Sequence, residues 1–314
     1  MKKQLQEKLH IIGNGFDLHH KIKSKYVDFK HFLETSDSEF YDEFTNYCIF
    51  DNDEDWFWLE FERNLANIEL DKEQIREEKS CFLKDYCADD WSDSYHHDYQ
   101  YEIEEKINKL YGGLKRNFIE WVQQLNRNTR DIQFSTEIPM LKLNKDALFL
   151  SFNYTDTLEN LYQVPSYNIK HIHGSASNIK SDIIFGHGAD FVRKEYGDSD
   201  TDPRELDAED ILDTRFRTLT RKPTKKIISA NQVWFKNLQN IKEIIIIGHS
   251  LNDIDADYYV AIHDTVLKSA HWTITTYAGE KSHEIEEKTE SLHKIGVSVQ
   301  DVEVIPICEL FERI

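Results

Sequence analysis

Residues 9–20 read LHIIGNGFDLHH. An apolar run from Leu9 to Ile12 stops at Gly13-Asn14-Gly15, and Phe16 and Asp17 open a helix-like pattern. A short apolar run bounded by glycine is the mark of a strand buried on both faces, as in a parallel sheet. A strand that passes through glycine into a helix begins an α/β fold. The chain holds only 11 glycines, yet two stand at this turn. Two readings stand side by side. One is a tight β–α turn; the other is a negatively charged group that must approach the backbone there.

The same pattern recurs outward from this stretch. ALFLSFN (147–153), DIIFG (182–186) and EIIIIG (243–248) read as further buried strands, with NIKHIHG (168–174) and WTITTYA (272–278) as weaker ones. Helical patterns lie between them at DTLENLYQ, IDADYYVAIHDTVLKSA and EKSHEIEEKTESLHKI. Strands alternating with helices predict an α/β fold built on a mainly parallel sheet. Residues 20–140 carry almost no strand signal and read as a large helical insertion after the first strand. There, Trp56, Leu59, Phe61 and Leu65 fall on one helical side, and Ile103, Ile107, Leu110, Leu114, Ile119 and Val122 form an apolar stripe. The aromatic cluster around Trp58, Phe57 and Phe61 reads as core, as do Tyr26 and Phe29. His19 and His20 read as solvent-facing, and the acidic runs 51–55 and 88–93 as solvated loops. Residues 187–225 are polar, contain Pro203 and Pro223, and read as a long connection.

Composition narrows the function classes. The 314 residues suffice for one large domain or two small ones. The formal net charge of -20 opposes contact with nucleic-acid phosphates. The basic runs 109–116 and 215–226 are the places where such contact would occur, and no nucleic-acid partner is expected. No apolar stretch reaches membrane-spanning or signal-peptide length, so a cytoplasmic protein without membrane contact is expected. Cys48, Cys81, Cys87 and Cys308 form no C-x-x-C pair, which predicts buried structural thiols rather than a zinc site or a disulfide framework.

In an open parallel sheet, ligands bind beyond the carboxyl ends of the strands. Those ends carry Gly13, Asn14, Gly15, Phe16 and Asp17; then Ser151, Asn153 and Asp156; then His171, His173 and Gly174; then Gly186 and His187; then Gly248, His249, Ser250 and Asn252. Glycine lets a backbone N–H approach a phosphate, and a helix start adds donors. Asn153 can donate and accept, so it can position a hydroxyl or a water. His173 can act as a base near neutral pH. Asp17 and Asp156 are candidates to stabilise a cation-like sugar. His187 either binds a ligand or fills a turn. Asn252 and Asp253 read as caps of the next helix, with Ser250-x-x-Asp253 as a capping box, a role compatible with phosphate binding. His171 and His173 alternate along a strand and share a face. With His187 they make a three-imidazole metal site conceivable, but no metal is expected.

This order of motifs resembles the sirtuin-like group of nucleotide-binding proteins. Gly13/Gly15, Asn153, His173-Gly174, Phe185-Gly186 and Gly248-His249-Ser250 stand in that group's order. Within it, IIGNGFDLHHKIKSKYVDF, SFNYTDTLE, HIHG and IIIIGHSLNDID are similar to the AbiH family of phage abortive-infection proteins. The resemblance implies one sirtuin-like, Rossmann-like domain over residues 1–314 that binds NAD or a related nucleotide, as substrate or ligand. It implies cleavage of the nicotinamide–ribose bond, with Asn153 at the ribose and His173 as general base. Gly13 and Gly15 would then face the phosphates, while Gly248 and Ser250 would hold the other side. The zinc-binding cysteine pairs of protein deacylases are absent, so protein deacylation is not expected.

Three functions follow. The first is an anti-phage NAD hydrolase, an N-glycosidase. The second is a non-enzymatic nucleotide sensor of a defence system. The third is a metal-dependent nuclease, for which Asp253, Asp255 and Asp257 are the candidate carboxylates, although residues two apart on a helix do not converge. Expected partners are the nucleotide, a phage-derived trigger, and a second copy or a partner defence protein.

Overall fold

The computed structural model describes residues 6–50, 54–93, 95–132, 139–178, 182–190 and 202–311. Its strands are β1 (Lys8–Ile12), β2 (Cys48–Ile49), β3 (Glu69–Leu70), β4 (Leu148–Ser151), β5 (Ile169–His171), β6 (Glu243–Ile247), β7 (His271–Thr276) and β8 (Val302–Pro306). Between β1 and β4 run α1 (Asn14–His19), α2 (Tyr26–Ser36), α3 (Ser38–Tyr47), α4 (Glu54–Leu59), α5 (Phe61–Asn64), α6 (Lys72–Lys79) and α7 (Tyr95–Ile132). Then come α8 (Thr157–Tyr162), α9 (Pro203–Leu219), α10 (Thr224–Ala230), α11 (Gln232–Lys236), α12 (Ala256–Thr265) and α13 (Ser282–Lys294). No helix among the described residues is long and apolar enough to cross a membrane.

The chain divides into two compact units. One comprises residues 1–25, 120–184 and 223–314; the other comprises 26–119 and 185–222. The first holds a six-stranded sheet in the order β5-β4-β1-β6-β7-β8. Every pairing in it is parallel, from Ile12 opposite Ser151 on one side to Ile12 opposite Ile247 on the other. Both faces are covered, as a parallel sheet requires. Leu9, Ile11, Leu150, Ile244, Ile246 and Trp272 pack with Phe235, Tyr258, Ile262 and Leu292. Ile12, Phe149 and Ile247 pack with Phe16, Leu158, Leu161, Ile305 and Leu310. His10 lies within β1 beside Phe149, and neither ring nitrogen has a hydrogen-bond partner among the described residues. Burial, helped by Lys8, therefore pushes its pKa down to about 3 and keeps the ring neutral.

The second unit is helical apart from the antiparallel pair β2–β3. Its core is aromatic: Trp58 stacks on Phe61 with centroids 5.3 Å apart, and Phe29 meets Phe118 edge-on at 5.3 Å.

Several local expectations change. Residues 182–185 are not a strand, although Ile183 and Phe185 are buried as a strand's side chains would be. The expected connection 187–225 contains α9, started by Asp202, whose carboxylate accepts from the Arg204 N–H, and by Pro203 in the first turn. Residues 191–201 of that connection, and 51–53 of the acidic run, lie outside the described residues. Trp56 and Leu59 are exposed, because the helix breaks after Leu59 and turns Phe57, Trp58 and Phe61 inward. His20 is buried, held between the Phe16 carbonyl at 2.7 Å and the Tyr162 hydroxyl at 2.6 Å. Only Cys48 is a buried thiol; Cys81, Cys87 and Cys308 are exposed.

Candidate functional site

The carboxyl ends of β1 and β6 are adjacent, and their turns touch through main chain. Gly13 N–H donates to Ile247 O at 3.0 Å, Gly15 N–H to Gly248 O at 2.7 Å, and Phe16 N–H to Gly13 O at 2.9 Å. A Cβ on Gly13 would lie 2.6 Å from His249 Cα, and one on Gly15 would lie 2.7 Å from Gly248 Cα. Glycine is therefore required because one backbone passes against another. These amides donate inside the protein. Asn14 is tied to Ser24, donating to its carbonyl at 2.9 Å and accepting from its hydroxyl at 2.5 Å. Phe16 belongs to the core.

Asn153 joins β4 to this turn, its Nδ2 donating to Gly13 O at 3.1 Å. Asp17 is buried close by and accepts from Thr155 Oγ1 at 2.6 Å and Thr157 Oγ1 at 2.7 Å. Burial raises its pKa to about 6 against the opposing hydrogen bonds from Thr155, Thr157 and Asn153. A raised carboxyl pKa stabilises the fold fully below about pH 4, and that stabilisation is lost as pH rises through about 6. Asp17→Asn should flatten this dependence and be the more stable form at pH 7, by up to about 3 kcal/mol. Melting curves at pH 4 and pH 7 check it; a variant less stable than wild type at pH 7 would refute the burial argument.

His173, Asp255 and His249 come together from the segment after β5, the start of α12 and the segment after β6. His173 Nε2 lies 3.6 Å from one Asp255 oxygen, and His249 Nε2 lies 3.5 Å from the other. These are ion-pair rather than hydrogen-bond distances. His249 Nδ1 accepts from Leu251 N–H at 2.9 Å, so its proton sits on Nε2 and faces the carboxylate. Phe152 packs against both rings, at 5.4 Å from His173 and 4.3 Å from His249. All three polar side chains are almost wholly buried, His173 at 2% exposure. Ser250 is exposed. The turn at Asp253–Asp255 is capped by Asn252 rather than Ser250, with no side-chain capping bond, so the expected Ser250-x-x-Asp253 box is not formed, and Asn252 Oδ1 is buried without a partner among the described residues. Tyr259 Oη is also buried and unpartnered among them.

His171 and His173 do not share partners, because β5 ends at His171 and the chain turns. His171 Nε2 lies 2.9 Å from Glu159 Oε1, and its Nδ1 lies 3.2 Å from the Asn153 carbonyl. Burial lowers the His171 pKa, but Glu159 outweighs it and the net shift is upward. Asp156 accepts from Ser175 Oγ at 2.5 Å and Asn126 Nδ2 at 3.2 Å.

Gly186 and His187 lie in the second unit. Gly186 has φ +131°, and a Cβ there would meet Thr220 O at 1.7 Å. His187 exchanges main-chain hydrogen bonds with Thr220 and Lys222, and its Nε2 donates to Arg217 O at 2.9 Å. Burial lowers its pKa. The basic run 215–226 is engaged within the same unit: Arg215 pairs with Glu104, Arg221 with Asp190, and Lys222 with Glu62.

Sequence reading missed Asp255 as the carboxylate between two histidines, Glu159 as the partner of His171, and the Thr155/Thr157 pair on Asp17. The available signal was positional: Asp255 opens the helix after β6, and the threonines follow Asn153 at the end of β4.

No curated protein matches the sequence. The family model described as bacteriophage abortive infection AbiH matches residues 9–276, from β1 through β7, and suggests a role in abortive infection by phage; the chain belongs to the AbiH family.

Proposed function

We propose that the first unit binds NAD or a related nucleotide at the carboxyl ends of β1, β4, β5 and β6 and hydrolyses its nicotinamide–ribose bond during phage defence. The observation that carries the reading is the buried His173–Asp255 pair, with Asn153 buried after the strand paired to β5, at a reversal of strand order. Numbered along the chain within the sheet alone, β5-β4-β1-β6-β7-β8 is the order 3-2-1-4-5-6. That is the order of doubly wound dinucleotide-binding folds, whose ligands sit where the order reverses, between the first and fourth strands. A Rossmann-like, sirtuin-like fold is consistent with it.

The residues present suit a sugar ligand. Asn252 Oδ1 and Tyr259 Oη are buried polar atoms lacking partners among the described residues. Such atoms cost about 1–3 kcal/mol each when unsatisfied, and ribose hydroxyls would satisfy them. In the proposed reaction His173 takes a proton from water, Asp255 holds the resulting imidazolium, and Asn153 positions the attacking oxygen. Water adds to the ribose carbon as the bond to nicotinamide breaks. Asp17 has the character of a structural acid bound by two threonines. Asp156, with both oxygens engaged, is not assigned to the reaction.

The burial of Asn153 and His173 favours an enzyme that is silent at rest, and it also favours the second reading, a nucleotide sensor. The test is nicotinamide release from NAD by purified protein, alone and with phage lysate, together with mass identification of any bound nucleotide. Cleavage that needs the lysate supports a triggered hydrolase. Tight nucleotide binding with no cleavage in either condition favours the sensor, and no nucleotide binding at all overturns both.

A further inference from the structure

We propose that Asp156, Glu159 and His171 form a binding site for a divalent first-row transition metal. Each offers one ligand atom, and these atoms all lie within 4.8 Å of one another. Asp156 is the N-cap of α8 and Glu159 lies in its first turn, so the two carboxylates sit three residues apart on one side of the helix. His171 ends β5 and faces them.

The imidazole is set up as a ligand. A carbonyl oxygen only accepts, so the contact with Asn153 O fixes the proton of His171 on Nδ1. Nε2 is then the nitrogen aimed at Glu159 Oε1. A ring N–H on a backbone carbonyl is the usual outer support of a metal-bound histidine. Nε2 and Oε1 lie 2.9 Å apart, a gap that a shared proton or a metal ion bridges, and metal binding would displace that proton. A separate observation points the same way. Glu159 Oε2 is buried and has no hydrogen-bond partner among the described residues, although a carboxylate oxygen out of water requires one. Asp156 is oriented by Ser175 and Asn126, and each oxygen keeps a second lone pair for a metal.

The donor set selects the ion. One imidazole nitrogen with two carboxylates suits zinc, manganese, iron or cobalt, whereas calcium and magnesium take oxygen ligands. Metal–ligand bonds of about 2.0–2.2 Å put neighbouring ligand atoms about 3–3.5 Å apart, so ligand atoms now up to 4.8 Å apart close by up to about 1.3–1.8 Å on binding. Glu159 and His171 keep side-chain exposures of 26% and 14%, which leaves a route for the ion. The site would cross-link α8 to the end of β5. Asn153 lies three residues before one ligand and His173 two after another, so the metal would fix their spacing. The proposal itself does not depend on nucleotide chemistry.

The experiment uses the full, tag-free chain, stripped with chelator and titrated with zinc chloride and manganese chloride by calorimetry. We expect one equivalent bound and a raised melting temperature for at least one ion, with no response to magnesium. Cobalt should give a visible absorption band. His171→Ala and Glu159→Gln should each weaken binding by at least tenfold and remove the band, and Ser175→Ala should weaken it about 10–100-fold through Asp156. Glu159→Gln keeps shape and size, so it serves where His171→Ala fails to fold. Folded wild type that binds neither zinc nor manganese overturns the site, and leaves the Glu159–His171 contact as an ion pair. Binding unchanged in Glu159→Gln also overturns it.

Discussion

Gly248→Ala should destabilise the chain by more than about 4 kcal/mol and leave little folded protein. Two independent costs act at this position. Gly248 has φ +68°, a conformation that costs a residue with a Cβ roughly 1–2 kcal/mol. The added Cβ would also stand 2.3 Å from Phe16 N and 2.5 Å from Gly15 C. Both are main-chain atoms in the first turn of α1, directly after β1, and cannot rotate away. The β1 and β6 turns must then part, which breaks the 2.7 Å bond from Gly15 N–H to Gly248 O and unseats the central strand pair. Losses above 4 kcal/mol are exceptional for one residue and require such a combined mechanism. Gly279→Ala is the control. Its φ is +93°, but nothing lies within 4 Å of the new Cβ, so it should cost only the conformational part. Denaturant melts of the two variants check the contrast; equal midpoints would mean that the two turns are not in contact. Gly15→Val, the obvious probe of phosphate binding at this turn, carries the same clash with Gly248 and would unfold the chain before it reported on a ligand.

That result bears on what residues 9–20 could disclose. Glycine marks a close approach, and the sequence marks it correctly, but it does not say what approaches. Here it is the main chain of Gly248, brought alongside by strand pairing. The sheet was legible for a related reason: a parallel strand buried on both faces must be apolar at nearly every position, as β4 and β6 are, while β1 departs at Lys8 and His10. The same rule misled at 182–186, where Ile183 and Phe185 are buried while Ile184 makes a single strand-like bond to His173 O. Burial of side chains is necessary for such a strand but not sufficient. β8 escaped notice because an edge strand tolerates polar positions. Its side chains run from exposed Val304 to buried Ile305, and Pro306 closes it. For α9 the Asp202-Pro203 start signal was present, and the polar composition around it masked it. Among the site residues, Asn153, His173 and His249 could be named from their places after strands. Asp255 could be named only as a metal-site carboxylate and not as the histidines' partner, because that role depends on a short 3-10 turn that carries it between His173 and His249, which follow different strands.

Within the proposed hydrolase, His173→Ala should lower turnover of NAD by about 10²–10⁴-fold, the usual contribution of a positioned proton-transfer group, and Asn153→Ala by about 10²-fold through misplacing the attacking oxygen. Nucleotide affinity should stay within a few-fold of wild type, because neither side chain is assigned to the phosphates. The double variant should be little worse than the poorer single one, since both act on the same attacking water and residues that act as a unit are not additive. Asp255→Asn tests the pairing itself. It keeps the size of the side chain between His173 and His249 but removes the charge that would hold an imidazolium, so kcat should fall while KM holds. Asp255→Ala, which also empties the buried space, should lower the melting temperature as well, and comparison of the two separates electrostatics from packing. The assay is initial-rate nicotinamide release in the condition that activates wild type, with a melting curve for each variant. Undiminished cleavage by a folded His173→Ala, Asn153→Ala double variant would move the chemistry elsewhere, with Asp17 and His187 the next to replace. Of those two, Asp17 has the stronger case, because it shares a unit with the β1 turn and its raised pKa keeps a proton available near pH 6. His187, with Nε2 committed to Arg217 O, would have to break that bond before it could serve as a base.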